Sequence, residues 1–261
     1  DTNPAYFDDT CSGGSVVPPL VTVTLEWPLI VEFRSRIAGA TPDELRRGVH
    51  VIHSVNFHRL LRPGERVTTT GMIVAVEQRR AGAFVQTRLD TLDQAGRPVA
   101  TTFNGSIFLG VAARGGNRRI DSPPDTPLIS TAADPDDWSV RVPVAADAAH
   151  VYSECADIYN PIHTERGAAL AAGLPGIILH GTATLALAAR EIVNRECNGD
   201  PARLASLSCR FGAMVRPGST IVVGGRRGPT SPEGRSIRYE VHTDQGQPAI
   251  RDGWARIRSS N

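Results

Sequence analysis

The chain contains no lysine: all 28 of its basic residues, in 261, are arginine. Within this chain that excludes imine-forming lysine chemistry, lysine-dependent pyridoxal chemistry and a phosphate loop of the GxxxxGK type. Any phosphate on a ligand must be met by arginine or by backbone N–H. The four cysteines, Cys11, Cys155, Cys197 and Cys209, are too sparse for a disulfide scaffold and lack metal-site spacing. They are expected as free thiols, with Cys155 a buried structural one, because nothing beside it in sequence lowers a thiol pKa. No apolar run reaches the roughly 18 residues of a spanning helix, and the first twenty residues lack the apolar core of a secretory leader. The expectation is a cytoplasmic protein that engages no membrane. Net charge is only +1, with acidic and basic residues interspersed, which leaves no electrostatic footprint for nucleic acid. No metal and no cofactor are expected.

What is present is globular: 41% hydrophobic and 21% charged residues argue against disorder, and the length suits one large domain or two of ordinary size. Residues 1–19, DTNPAYFDDTCSGGSVVPP, are turn-rich and predict an extended arm. Residues 20–24 are β-prone, and 27–37 have the spacing of an amphipathic helix with Pro28 confined to its first turn. Thr41-Pro42-Asp43-Glu44 supplies a capping hydroxyl, a first-turn proline and a glutamate three residues after the cap. Four strands are expected near 49–61, 66–77, 83–92 and 98–109, joined by short turns as in an antiparallel sheet. Residues 113–139, dense in Gly, Pro and Asp, read as a linker. A second unit begins at 140, and strands return near 207–215, 220–224, 236–242 and 249–257. The halves echo each other: FHRLLRPG from Phe57 matches FGAMVRPG from Phe211, and DQAGRP from Asp93 matches DQGQP from Asp244. Two echoes in the same order favour a duplication over chance turn chemistry.

The densest chemistry lies in residues 152–190. Asn160-Pro161-Ile162-His163 sets a proline-stiffened turn directly before a histidine. A short Ala-rich helix over 164–172 follows, stopped by Gly173 and Pro175. The apolar Ile177-Ile178-Leu179 leads into His180-Gly181-Thr182 and a helix running from Thr182 to an end near 191–197. That helix is apolar nearly all round and is expected to be buried, with its first-turn N–H groups free to bind something negative. His180 is expected to fix its start; His53 and His58, on a strand pattern, are expected as half-buried sheet residues.

This pattern resembles the MaoC-like (R)-specific enoyl-CoA hydratases and 3-hydroxyacyl-thioester dehydratases. Members commonly read Ser-Gly-Asp-x-Asn-Pro-x-His, with the Asp and His as the catalytic pair. Here Ile158 stands at the Asp position and Asp157 at the Gly position. The resemblance implies an α+β double hotdog: a degenerate amino-terminal unit over 20–112 and a site-bearing unit over 140–261, each a long helix wrapped by an antiparallel sheet. It implies a lyase of fatty acid or polyketide metabolism that hydrates a 2-enoyl thioester, or dehydrates a 3-hydroxyacyl thioester, carried on CoA or acyl carrier protein. His163, Asp157 and Asn160 would be catalytic; Asp157 either turns toward His163, the preferred outcome, or points to solvent and leaves His163 without a carboxylate partner. The N–H groups of Gly181 and Thr182 would hold the thioester oxygen, and Ile158 and His180 would line the pocket; Tyr152 and Tyr159 either line it or merely pack. A homodimer of two-unit chains is compatible with this reading. A polyketide-tailoring dehydratase or cyclase, a thioesterase and a non-catalytic acyl-thioester binder remain open, and the displaced carboxylate favours the first of these alternatives.

Overall fold

A computed structural model describes residues 2–11, 13–37, 39–124, 136–232 and 234–259. A 3-10 turn at Pro4–Tyr6 and another at Pro19–Val21 precede helix α1 (Thr22–Ser35) and the short α2 (Pro42–Arg46). Four long strands follow, β1 (Gly48–Phe57), β2 (Val67–Arg79), β3 (Gly82–Asp93) and β4 (Pro98–Leu109), then the two-residue β5 (Arg118–Arg119). The second half comprises β6 (Trp138–Pro143), α3 (Ala148–Ala156), a 3-10 turn at Pro161–His163, α4 (Arg166–Ala171), α5 (Gly181–Glu196) and a 3-10 turn at Pro201–Arg203. It closes with β7 (Leu204–Phe211), β8 (Thr220–Ser231), β9 (Gly234–His242) and β10 (Pro248–Ile257).

The strands form one sheet in the order β5-β2-β3-β4-β1-β7-β10-β9-β8-β6. Outward from its middle, each half sets down its first, last, third and second long strand, so β1-β4-β3-β2 mirrors β7-β10-β9-β8. This is a helix followed by four antiparallel strands, twice, and the fold is the α+β double hotdog. The halves join where β1 pairs antiparallel with β7, from Ile52 opposite Arg210 to Asn56 opposite Ser206. The seam consumes two strand edges that separate units would leave exposed to unwanted pairing.

Helix α5 is the spine of the second half. Leu185, Ala188 and Ile192 are fully buried against β7, β8 and β10, as an all-round apolar helix requires. Its far end is pinned through Glu196, which accepts from Trp138 Nε1 at 2.7 Å and pairs with Arg227 Nε at 3.0 Å. In the first half α1 lies on β2 and β3. The capping box at α2 forms as its sequence requires: Thr41 accepts from Glu44 N–H while the Glu44 carboxylate accepts from Thr41 N–H.

Several elements differ from expectation. Residues 20–24 are not a strand: the Pro18-Pro19 turn feeds straight into α1, which starts at Thr22 and carries Pro28 in its interior. The lost N–H of Pro28 is tolerated because the ring faces outward while Val23, Glu26 and Ile30 are buried on the opposite side. Helix α3 occupies a stretch for which no element was expected. It buries Ala149, Ser153 and Ala156 and leaves Cys155 exposed, so the expectation of a buried thiol there fails on helix phase. The amino-terminal arm is tied down at both ends: Asn3 Nδ2 donates to Gly199 O at 2.7 Å, and Val17 N–H to Leu61 O at 2.9 Å. The core of the expected linker, residues 125–135, lies outside the described residues. No helix among the described residues is long and apolar enough to cross a membrane.

Leu185→Ala removes a fully buried side chain from the spine and is expected to cost about 2–5 kcal/mol. Met72→Ala, at a side chain 51% exposed, should change stability by less than about 0.5 kcal/mol. Equilibrium denaturant unfolding of the two variants checks the contrast.

Candidate active site

A cavity of about 430 Å³ opens between the halves. One wall comes from the second half. Helix α3 ends at Asp157 in the left-handed region, φ 52°, a conformation that a short polar side chain tolerates. This reversal leaves Asp157 exposed and turns Ile158 inward, where it is buried beneath the cavity. Asn160 then caps the 3-10 turn, its side chain accepting from Ile162 N–H, and the turn delivers His163. His163 Nδ1 lies 2.8 Å from Ile178 O. A carbonyl only accepts, so Nδ1 carries the proton and Nε2 is left as a free base.

The His163 ring stacks on that of His180, with centroids 3.7 Å apart and planes at 24°. His180 is the residue before α5; its Nε2 sits 3.3 Å from Ile158 O and 3.3 Å from Ser153 Oγ, while buried Nδ1 has no hydrogen-bond partner. Burial lowers the His163 pKa below its ordinary 6.5, with the Ile178 carbonyl partly offsetting it. Burial and then the neighbouring imidazole push His180 down to about 3. Both rings are therefore neutral at pH 7, which is what allows them to stack. At the start of α5 a side chain on residue 181 would come within 3.1 Å of the Phe211 ring. Glycine there lets Phe211 close over the helix end, next to the first-turn N–H groups that helix geometry leaves unpaired.

His163, Asn160, Ile158, His180, Gly181 and Thr182 thus all line one cavity. Tyr152 does not. It lines a second, mainly apolar cavity of about 500 Å³ beside α5, while its ring packs 4.9 Å from that of His180. Tyr159 is 52% exposed and hydrogen-bonds Glu154, which raises its pKa. The expectation that Asp157 turns toward His163 is not met: the helix end that the residue adopts sends its carboxylate to solvent.

The opposite wall is built by residues to which the sequence assigned no role in the site. Val23, Glu26, Trp27, Ile30 and Arg34 fall on one face of α1 and line the cavity. From β1 come His50 and His53, brought to the same face by a bulge: the register against β4 jumps between His50 and Ile52, leaving Val51 unpaired. His50 Nε2 donates to Ile52 O at 2.9 Å, and its ring lies 5.5 Å from that of His53 and 4.8 Å from Phe211. His53 was expected to be half-buried; it is 1% exposed, neither ring nitrogen has a partner, and burial pushes it down to about 4. His58 is exposed. Glu26 is 2% exposed, with Oε1 unpartnered; burial raises its carboxyl to about 8, against a smaller opposing effect of the Thr102 hydroxyl. Arg34 reaches Ser106 Oγ at 3.3 Å. The signal for Glu26 was present: an acid on an apolar stripe at positions 23, 26, 27 and 30. Starting the helix at Trp27 hid it. Among the described residues no three His, Cys, Asp or Glu side chains are grouped to hold a metal.

The MaoC like domain matches residues 130–243, and the FAS1-like, dehydratase domain region matches residues 1–102. Each half of the chain thus resembles a dehydratase domain. A peroxisomal multifunctional enzyme type 2 from Drosophila melanogaster is 27% identical over 74% of this chain and 31% of its own length. Enoyl-CoA hydratase 2, peroxisomal, from Arabidopsis thaliana is 33% identical over 38% of this chain and 31% of its own. The chain thus spans about a third of each of these relatives. In fold it is similar to a MaoC-like dehydratase from Phytophthora capsici, with a TM-score of 0.83, 21% identity and coverage of 100% of this chain and 89% of that one. Within the half that matches the MaoC like domain, the position of the usual aspartate holds buried Ile158, and Asp157 beside it is exposed.

The buried groups of the site make stability depend on pH in a signed way. His53 and His180 have folded pKa values near 4 and 3, below the unfolded 6.5. Their contribution is fully present above pH 6.5 and is lost as pH falls below it, by up to about 1.4 kcal/mol per unit for each ring. Glu26 acts oppositely: its folded value near 8 exceeds the unfolded 4.5, so its contribution is present below pH 4.5 and is lost as pH rises toward 8. Glu26→Gln is therefore expected to gain stability over the parent at pH 8 relative to pH 5, as measured by denaturant midpoints at both.

Proposed function

We propose that the chain catalyses the reversible hydration of a 2-enoyl thioester to a 3-hydroxyacyl thioester, with the acyl group carried on CoA or on an acyl carrier protein. The observation that carries this reading is the placing of His163 Nε2, a free base with its partner nitrogen fixed on Ile178 O, in the same cavity as the amino end of α5. A base beside two convergent N–H groups suits a reaction that makes and quenches an enolate. The N–H groups of Gly181 and Thr182 receive the thioester oxygen as negative charge builds on it, an effect often worth the most of any single term. His163 moves the proton at C2; an imidazole that titrates somewhat below 6.5 is neutral, and so a competent base, at pH 7. Asn160 holds the turn that carries it. The apolar lining from Ile158, Ile162, Leu174 and Ile178 accommodates the acyl chain and keeps water out. With no lysine in the chain, arginine or backbone N–H meets the phosphates of either carrier. The family match and the names borne by the relatives support the same reaction class. We assign the halves, 20–112 and 140–261, to a duplication in which only the second kept the Asn-Pro-Ile-His turn.

The test is loss of the enoyl chromophore on incubation with 2-enoyl-CoA thioesters of graded chain length; release of free thiol without that loss identifies a thioesterase instead. His163→Ala should lower kcat by roughly 100- to 10,000-fold with the unfolding midpoint nearly unchanged. Asp157→Asn should leave kcat and KM within about twofold, because its side chain is solvated; a large loss there would mean that the α3 end rearranges when substrate binds. The buried Ile158 in place of an acid favours, as the second reading, a tailoring dehydratase whose substrate differs from a straight-chain enoyl-CoA.

A further inference from the structure

We infer that Glu26, on the amino-terminal half, is the second acid–base group of this site, supplying across the cavity the proton transfer that the apolar Ile158 cannot. The inference rests on the hydratase reading above. Reversible hydration needs two proton-transfer groups, one at C2 and one at the C3 oxygen. The second half brings His163 to the cavity, and beside it His180, whose pKa burial and the neighbouring imidazole lower to about 3 and which is therefore no acid at pH 7; Ile158 is apolar, Asp157 is exposed, and Glu165 precedes α4 outside the cavity lining. Of the acids among the described residues, Glu26 alone lines this cavity.

Its setting is that of a working group more than a structural one. The side chain is 2% exposed, has no ion pair among the described residues, and keeps Oε1 without a hydrogen-bond partner. A structural buried carboxyl satisfies both oxygens, because an orphaned one costs about 1–3 kcal/mol. The charged and titratable groups that line the cavity with it are His50 and His53 from β1, Arg34 from its own helix, and His163 and His180 from the second half; the Thr102 hydroxyl stands beside it and offsets the effect of burial in part. All four imidazoles have lowered pKa values and are neutral at pH 7, so Arg34 is the one charge among these groups at that pH. Burial dominates, and the carboxyl is protonated over the neutral range.

In dehydration the bookkeeping is as follows. His163 Nε2 takes the proton from C2, the C2–H electron pair forms the C2=C3 double bond, the C3–O bond breaks, and the Glu26 proton goes to the departing hydroxyl to give water. Glu26 is left as carboxylate and His163 as imidazolium, and proton exchange through water restores both. Hydration runs through the same groups in reverse.

The experiment uses the full chain with a 2-enoyl-CoA panel and the matching 3-hydroxyacyl-CoA. Glu26→Gln keeps the shape and removes the transferable proton. The parent's dehydration rate is expected to fall as pH rises through about 8; the variant should show a kcat lower by roughly 100- to 10,000-fold, a KM within about threefold, and no such alkaline limb. Glu26→Asp should recover part of the lost kcat and retain that limb, which a packing role would not produce, and it stands in as the test should the glutamine variant fail to fold. A Glu26→Gln variant within threefold of parental kcat, or an aspartate variant without the limb, overturns the assignment while leaving the hydratase reading intact. A parent inactive on every thioester overturns the hydratase reading and the assignment with it.

Discussion

The pairing of β1 with β7 is the constraint on which the rest depends. It is a short seam, five residue pairs long, and it fixes the bulged end of β1 against the Phe211 end of β7. Because β1 also carries α1's half of the molecule, the seam sets one face of α1 opposite the start of α5. The cavity is the space left between them. Neither half encloses it alone: one contributes the Asn-Pro-Ile-His turn and the helix end, the other a wall of Glu26, Arg34, His50 and His53. A slip by one residue along the seam would turn the inward set of β1 outward, as the two-residue period of a strand demands.

The distribution of unsatisfied polar groups follows from this. Both nitrogens of His53, Nδ1 of His180 and Oε1 of Glu26 are buried and unpartnered, and all three residues line one cavity. Each orphan costs about 1–3 kcal/mol of stability. Such costs persist where a site holds its groups ready for a ligand, and here the large apolar core around α5 offsets them. The stacked His163 and His180 extend the same logic, since two neutral rings pack face to face where two charged ones would repel.

Much of the architecture was legible in the sequence. The capping residues at Thr41 announced α2, the strand runs announced both four-stranded sets, and the RPG and DQ echoes announced the repeat. The turn at Asn160 and the breakers at Gly173 and Pro175 located His163 and framed α4. Legibility failed where a local rule was outweighed. Pro28 argued for a helix beginning beside it, yet burial of Val23, Glu26 and Ile30 carried α1 back to Thr22. Asp157 seemed near enough to His163 in sequence to serve it, but a left-handed helix end separates adjacent side chains into solvent and core.

The sequence by itself determined the eight long strand segments, the repeat of the halves and the identity of the histidine turn, because these depend on periodicity, capping and turn chemistry within a few residues. Which carboxyl shares a cavity with His163 was decided only by the tertiary structure. Glu26 and His163 are separated by more than half the chain, and no local pattern encodes a distance across a seam formed by two sheets. The bulge at Val51, which turns His50 and His53 to one side, is likewise a matter of register against β4, a property of the paired strands and not of β1 alone.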